Sequence, residues 1–358
     1  MEKTTNFLAK KQHSLFFGSA LFVSFGILVV TVGGSWDVTN HLLNRPETFF
    51  SPPHAILYTG VAIALVNTII KFLSWQNLSA EIKSQYVQQV KLTILGIAIL
   101  VGAGPFDFFW HSKFGLDGLL SPPHLFLISG MILCSTASMT SVVRYSNKKI
   151  TSDSYTPFHF LIIIGLLATL LSISGLFYSL SLPFSNTSFF KFNPDQTFAV
   201  IFTTIAFPFL FSSILFLSSS IVNKKFGIAS TVGILFLIIN ASTSIVQNSF
   251  LVPTLGFYFL GIIPIVIFDL ILANFSKQKL SYLAGAIPGV CFYFFYFPLI
   301  THTYNEIFSH ELVWPSMTGL IYFEMLDRVF PLVAIPAMIA GILGTIFAGK
   351  ITQKLRLI

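Results

Sequence analysis

The sequence predicts an all-α protein, a polytopic transmembrane bundle of about ten helices with a parallel two-helix repeat in the first four spans. Two observations predict this class. Of the 358 residues, 54% are hydrophobic and only 9% are charged, and the mean hydropathy is +0.81. Because soluble domains carry about 25% charged residues, so few charges could not cover a water-facing surface. The composition therefore excludes a soluble enzyme and a nucleic-acid-binding domain, and makes the lipid bilayer the main partner of the chain.

Ten segments are long and apolar enough to cross a bilayer, which takes about 20 residues of helix. The first four fall in region 1–150, a duplicated four-helix region that contains the motifs described below. The other six fall in region 151–358, a C-terminal membrane region to which the sequence assigns no role. The predicted spans are 14–34, 54–73, 87–106, 123–143, 156–180, 197–222, 226–249, 252–273, 280–300 and 330–349.

The basic residues predict how the chain is oriented. With the N-terminus inside, every Lys and Arg falls in an inner segment except four of the 20, namely Arg45, Lys113, Lys191 and Arg328. Cytoplasmic segments of membrane proteins are rich in Lys and Arg, so we predict that both termini are cytoplasmic. Most histidines then lie on the outer side of the cell membrane: His41, His54, His111, His124, His302 and His310.

A repeated segment near the predicted outer face is the most informative feature of the sequence. Segments 33–60 and 103–130 align without gaps at an offset of 70 residues, and 9 of their 28 positions are identical. The unit is two spans long, so the copies run parallel and present their polar residues at the same face. Each copy contains an Asp, a His four residues later, an acid, and a second His after Ser-Pro-Pro. The residues are Asp37, His41, Glu47 and His54 in the first copy, and Asp107, His111, Asp117 and His124 in the second.

The spacing within each copy suits a metal ion. An Asp and a His four residues apart share one face of a helix. Ser-Pro-Pro is a good helix start, with Ser as the N-cap and Pro at the first helical position, and the connecting loop would return the second His toward that face. Two imidazoles and one carboxylate from two helix ends would make a three-ligand site with an open position. Glu47 and Asp117 would orient the imidazoles from outside the ligand set.

A structural explanation also fits the same residues. Ser-Pro-Pro could be only a duplicated helix start, with each Asp–His pair a hydrogen bond that specifies the fold, because ionisable groups at membrane depth need partners. Both copies, however, keep the Asp and both His while most intervening residues differ. We therefore favour metal binding. By ligand type alone, zinc, iron and copper all suit such a set.

At these residues the chain resembles a known family. Asp107-Phe-Phe-Trp110-His111, followed by Asp117 and Ser121-Pro122-Pro123-His124, is similar to the copper-binding segment of the C subunit of copper membrane monooxygenases, the family of particulate methane and ammonia monooxygenases. The resemblance covers about 20 residues per copy. A second site in the family begins with Asn, whereas both copies here begin with Asp.

The resemblance implies copper as the cofactor. It assigns ligand roles to Asp107, His111 and His124, and to Asp37, His41 and His54 in the first copy. It also implies other membrane subunits as partners, since the family works as a three-subunit complex. The periplasmic domains of that complex belong to another subunit, and region 155–358 matches nothing in the family.

A second group of polar residues is a weaker candidate. His302, Glu306 and His310 are four residues apart in a predicted outer segment, so on a helix they would form one stripe. The stripe could be an additional metal site or a lid over the first. A solvated loop with coincidental spacing explains it as well, because no duplication supports it.

Three functions stay open at this stage. The first is a copper-dependent, monooxygenase-like oxidoreductase subunit that oxidises a small apolar substrate at the outer membrane face. The second is a metal-ion transporter or metal-delivery protein, which would need a polar path through the bilayer; only Asp269 and scattered Ser, Thr and Asn offer one. The third is a structural membrane protein in which the Asp–His pairs are hydrogen bonds.

Overall fold

The computed structural model of the chain describes residues 2–42, 48–115, 118–147, 157–181, 193–246, 252, 255–275, 277–291 and 326–356. Its regular secondary structure over these ranges is helical, which confirms the predicted all-α class. The helices are α1 (Glu2–Leu42), α2 (Pro52–Gln76), α3 (Ala80–Phe114), α4 (Pro122–Asn147), α5 (Pro157–Ser179), α6 (Gln196–Ile221), α7 (Ile228–Ile245), α8 (Leu255–Asn274), α9 (Gln278–Leu283), α10 (Ala286–Cys291) and α11 (Leu326–Arg356).

Seven of the described helices are long and apolar enough to cross a membrane: α1 to α6 and α11. The predicted spans 226–249 and 252–273 correspond to α7 and α8, within which the structure describes the apolar stretches 228–243 and 258–274. The predicted span 280–300 falls on two six-residue helices and on residues outside the described ranges. The chain is thus a helical membrane protein, and its count of ten spans stays a prediction.

The first four helices pack as two close pairs. In the α1–α2 pair, a Cβ added to Gly60 would lie 2.5 Å from the backbone nitrogen of Val30 and 2.7 Å from the carbonyl oxygen of Gly26. In the α3–α4 pair, a Cβ added to Gly130 would lie 2.9 Å from the carbonyl oxygen of Gly96. Both pairs therefore use the absence of side chains to bring two helix backbones together, as small residues do in membranes.

The largest apolar core joins the two halves of the chain. It contains Phe207, Phe236 and Phe268 from the later helices and also Ala20 and Val143 from α1 and α4. Its members lie in both predicted regions, 1–150 and 151–358, whose division as domains stays a prediction.

Asp269 stabilises the start of a neighbouring helix. Its position within an apolar helix makes it a candidate functional residue. Its Oδ2 atom accepts hydrogen bonds from the backbone N–H groups of Gly227 (2.9 Å) and Ser230 (2.9 Å) and from the Ser230 hydroxyl (2.7 Å). Gly227 is the N-cap of α7. A carboxylate at a helix N-terminus satisfies N–H groups that have no intrahelical partner and complements the helix dipole. Asp269 of α8 therefore fixes the start of α7.

Candidate metal centre

The end of α3 places two of the predicted ligands. Asp107 and His111 lie one turn apart, as their spacing predicts, and the His111 Nε2 atom is 3.3 Å from the Asp107 Oδ1 atom. Gly115 ends the helix with φ of 73°, a left-handed conformation that favours glycine. Its backbone N–H donates to the carbonyl of His111. Its own carbonyl accepts a hydrogen bond of 2.9 Å from His111 Nδ1, so the imidazole is held by the turn that follows the helix.

The start of α4 places the third ligand. Pro122 and Pro123 open the helix, as the Ser-Pro-Pro motif predicts. His124 lies in its first turn, with Nδ1 3.1 Å from the carbonyl oxygen of Gly118 and 2.9 Å from the hydroxyl oxygen of Ser121. These contacts orient the ring so that its other nitrogen, Nε2, points to Asp107, 3.3 Å from Oδ1.

The three side chains meet in an arrangement that suits a metal ion. One atom from each, among Asp107, His111 and His124, lies within 4.8 Å of the other two. Tetrahedral ligands at 2.0–2.2 Å from a metal lie about 3.3–3.6 Å from one another. Both Asp107–imidazole separations, 3.3 Å each, match that value.

Hydrogen bonding to the backbone decides which imidazole nitrogens face the centre. A carbonyl oxygen only accepts, so the Nδ1 atoms of His111 and His124 carry the protons that they donate to Gly115 and Gly118. The Nε2 atoms of both rings face Asp107 Oδ1, each at 3.3 Å. A ring whose only proton is on Nδ1 has a lone pair on Nε2, so two such rings beside one carboxylate oxygen would suit a positive species between them, either a proton or a metal ion. Orientation of a ligating His by a carbonyl on its other nitrogen is the usual arrangement in metal sites.

The first copy of the motif repeats part of this geometry. His54 lies in the first turn of α2, and its Nε2 atom is 3.0 Å from Asp37 Oδ1. Its Nδ1 atom is 3.0 Å from the carbonyl oxygen of Thr48, which lies six residues earlier, as Gly118 does for His124. His41 is in the last turn of α1, one turn after Asp37, and its side chain lies outside the described residues.

Tyr58 belongs to the first copy and contacts the second, and no sequence feature singled it out. It lies one turn after His54, and the two rings are 5.9 Å apart. Its ring also reaches α3, where a Cβ added to Gly104 would lie 3.8 Å from Cε1 of Tyr58. The ring therefore packs between the two helix pairs, close to the candidate ligands of both copies.

Several predicted residues lie outside the described residues. These are the orienting acids and the weaker outer group: Glu47, Asp117, His302, Glu306 and His310. Among the described residues, the backbone carbonyls of Thr48, Gly115 and Gly118 contact the Nδ1 atoms of the imidazoles, and the role of Glu47 and Asp117 stays a prediction. Every residue has a backbone carbonyl, so residue types could not predict which carbonyls contact the imidazoles.

The predicted cap is correct in position but not in its contacts. Ser51 is the N-cap residue of α2, yet its side chain makes no capping hydrogen bond. The hydroxyl of Ser121 contacts the imidazole of His124. The serine in the second copy thus supports a candidate ligand, because the ring nitrogen three residues later competes successfully for the hydroxyl.

Fold and site together define a helical membrane protein with a cluster of one carboxylate and two imidazoles at the end of its first four helices. Comparisons with protein-family models, with curated proteins and with solved structures found no match.

Proposed function

We propose that the protein is an integral membrane metal-binding protein whose ion is held by Asp107, His111 and His124. The convergence of these three side chains, with both Nδ1 atoms engaged by backbone carbonyls, carries the proposal. The donor set fits a transition metal, since two neutral imidazoles and a carboxylate suit copper, zinc and iron. Asp37, His41 and His54 would form the corresponding site of the first copy, supported by the 3.0 Å Asp37–His54 contact.

Copper is the proposed cofactor, on the resemblance to the C subunit of copper membrane monooxygenases. Bound copper would supply reactivity toward dioxygen, and the chain would act as a monooxygenase-like oxidoreductase subunit. The residues of the chain hold the ligand imidazoles in one tautomer and orientation, through Gly115 and Gly118. They also limit the access of water, since the side chains of His111 and His124 are only 17% and 13% exposed.

A small apolar substrate is favoured by what surrounds the site. Phe108 and Phe109 lie between Asp107 and His111 in sequence and are 58% and 56% exposed, and Phe126 follows His124 and is 53% exposed. Exposed aromatic side chains on helices of a membrane protein face lipid. A molecule dissolved in the bilayer would therefore reach the neighbourhood of the site without crossing water.

The repeat, the span count and the orientation belong to the same proposal. Gly26 and Gly60, and the glycines 70 residues later, make corresponding backbone contacts, which supports a parallel repeat. We propose ten spans, with α7 and α8 crossing the membrane and a further span over 280–300. The basic residues support cytoplasmic termini and a metal site at the outer face. Other membrane subunits are proposed as partners on the resemblance alone.

The metal content of the purified protein tests the proposal. The full chain is purified in detergent, reconstituted with copper, zinc or iron in turn, and its metal per chain is measured by mass spectrometry. Variants are His111→Ala with His41→Ala, and His13→Ala as a matched control, because His13 is a half-buried histidine far from the site in α1. Copper bound by wild type and by His13→Ala, but not by the double variant, is the expected result.

The outcomes separate the three functions. Wild type that holds none of the three metals would contradict both metal hypotheses and leave the structural explanation of the Asp–His pairs. Bound metal with copper-dependent consumption of dioxygen, in the presence of an added reductant that supplies two electrons and a small alkene or alkane that is oxidised, would support the oxidoreductase. Bound metal without dioxygen consumption, but with metal uptake by proteoliposomes, would favour transport or delivery instead.

A further inference from the structure

Lys71 lies in the centre of the first four helices, far from the metal centre. It follows His54 by 17 residues of α2, about 25 Å along the helix axis. The side chain is fully buried. Its Nζ atom donates a hydrogen bond of 2.9 Å to the hydroxyl of Thr93 on α3 and lies 5.8 Å from the centre of the Phe16 ring on α1.

The charge of Lys71 has no carboxylate partner within the part of the chain that the structure describes. No acid there lies within the 4.0 Å that defines an ion pair with Nζ. One hydroxyl and one ring face leave one N–H group of an ammonium ion to satisfy. A buried charge without compensation is costly, so Lys71 carries its charge only where another group or ion compensates it.

A polar seam between α3 and α4 begins at Lys71. Gln85, Gln89 and Thr93 share one face of α3, and Cys134, Ser138, Ser141 and Arg144 share the facing side of α4. Two hydrogen bonds frame the seam. The thiol of Cys134 donates to the carbonyl of Thr93 (3.6 Å), and Nη1 of Arg144 donates to the carbonyl of Gln85 (2.9 Å).

Polar atoms within this seam are buried without hydrogen-bond partners among the described residues. They are Oε1 of Gln89, Oγ of Ser138 and Nε of Arg144. Gln89 and Ser138 are 7% and 0% exposed. Another buried hydroxyl of α4 is paired with the carbonyl one turn earlier in the same helix, as Ser141 is with Ala137. Buried polar groups without protein partners are usually satisfied by internal water.

We propose that the α3–α4 seam is a water-filled, positively charged cleft that admits a small inorganic anion to Lys71. Its mouth is at Arg144, which is half-buried, at the end of the helices away from the metal centre. The described residues of the seam include two cations and no carboxylate. A cleft lined by one sign of charge concentrates the opposite ion. The anion would compensate the ammonium of Lys71, and water would satisfy Gln89 and Ser138.

Side-specific cysteine labelling tests whether the seam is open and positive. In a Cys134→Ala, Cys291→Ala background, Ser138→Cys is compared with Val142→Cys, which lies in the apolar core, and with Ser84→Cys, which is exposed near the start of α3. Proteoliposomes receive sulfonatoethyl methanethiosulfonate, an anionic reagent, or its trimethylammonium analogue, a cation. We expect Ser138→Cys to react with the anion at least about tenfold faster than with the cation, and from the same side as Ser84→Cys.

Chloride serves as the probe for the anion itself. The thermal stability of the protein in detergent is measured in chloride and in gluconate at equal ionic strength, for wild type, Lys71→Met and Lys71→Arg. Chloride should raise the Tm of wild type and of Lys71→Arg relative to gluconate, and should leave Lys71→Met unchanged. Lys71→Met should also remove the preference of Ser138→Cys for the anionic reagent without altering the labelling of Ser84→Cys.

Two results would overturn the proposal. If Ser138→Cys reacts no faster than Val142→Cys with either reagent, the seam is dry. If chloride shifts wild type and Lys71→Met equally, the anion binds elsewhere. Neither result bears on metal binding at Asp107, so the cleft and the metal centre stand or fail separately.

Discussion

The two copies of the motif have nearly the same polar residues but different local geometry. In the second copy, one oxygen of Asp107 faces two imidazoles at 3.3 Å. In the first, Asp37 faces His54 at 3.0 Å, and the side chain of His41 lies outside the described residues. The difference that the structure describes is at the serines: the hydroxyl of Ser121 contacts His124, whereas the hydroxyl of Ser51 is buried without a hydrogen-bond partner among the described residues. Equal motifs therefore do not have equal surroundings, and the surroundings set how well each copy is prepared to bind an ion.

The backbones of the two pairs differ close to these residues. A Cβ added to Gly33 would lie 2.6 Å from the backbone nitrogen of Leu57 and 2.9 Å from the carbonyl oxygen of Pro53. The corresponding residue of the second copy is Ala103, which is buried. The α1–α2 pair is thus in backbone contact where α3–α4 accommodates a methyl group. The second copy has more room between its helix ends, which is where its three ligand atoms converge.

Removing the last imidazole of each copy would test the comparison most directly. We expect His124→Ala to weaken metal binding by more than about 100-fold, since even residues that only orient a ligand are worth 10–100-fold. His54→Ala should leave the tighter of the two binding events intact. Metal affinity is measured by competition with a chelator of known strength. Equal losses in the two variants would show that the copies act as one centre.

Exchanging the small residues between the copies should have the next largest effect. Gly33→Ala would force a methyl group against the backbone of α2 and should lower the free energy of unfolding by about 1–3 kcal/mol. Ala103→Gly should lower it by about 1 kcal/mol, through the lower helix propensity of glycine. Unfolding in mixed micelles with increasing sodium dodecyl sulfate measures both. Gly102→Ala is the control, because its Cβ would meet open space. A neutral Gly33→Ala would contradict the close α1–α2 contact.

The serines before the two proline pairs should give the smallest effect. Ser121→Ala removes the hydroxyl next to His124 Nδ1 and should weaken metal binding by about tenfold, the lower end for a residue that orients a ligand. Ser51→Ala is the matched variant and should change the affinity little, because its hydroxyl contacts no imidazole. The same chelator competition reports both. If Ser51→Ala has the larger effect, the first copy is the better-ordered site.

Much of the site could be predicted because its residues are close in sequence. Asp107 and His111 are one helical turn apart, and Ser-Pro-Pro sets the start of α4, so local geometry alone brings three groups near one loop. The carbonyls of Thr48, Gly115 and Gly118 could not be predicted, since every residue has one and only the loop path decides where it points. The contacts of Tyr58 and Lys71 could not be predicted either, because helix packing brings these side chains to Gly104 and Thr93 of α3, which are distant in sequence.

The sequence by itself determined that the chain is a helical membrane protein. With so few charged residues, its many apolar side chains need lipid as their surroundings, and a chain in lipid must satisfy its backbone groups within helices. It also determined which residue types recur at the two helix ends. Only the tertiary structure showed that one oxygen of Asp107 lies next to two imidazoles and that Asp269 fixes the start of α7. It also showed that Lys71 is buried beside the α3–α4 seam, where several polar atoms have no hydrogen-bond partner among the described residues. Which side chains are buried and which polar groups pair depends on which helices are neighbours. Neighbouring helices are set by close contacts such as Gly26–Gly60, which no local sequence pattern encodes.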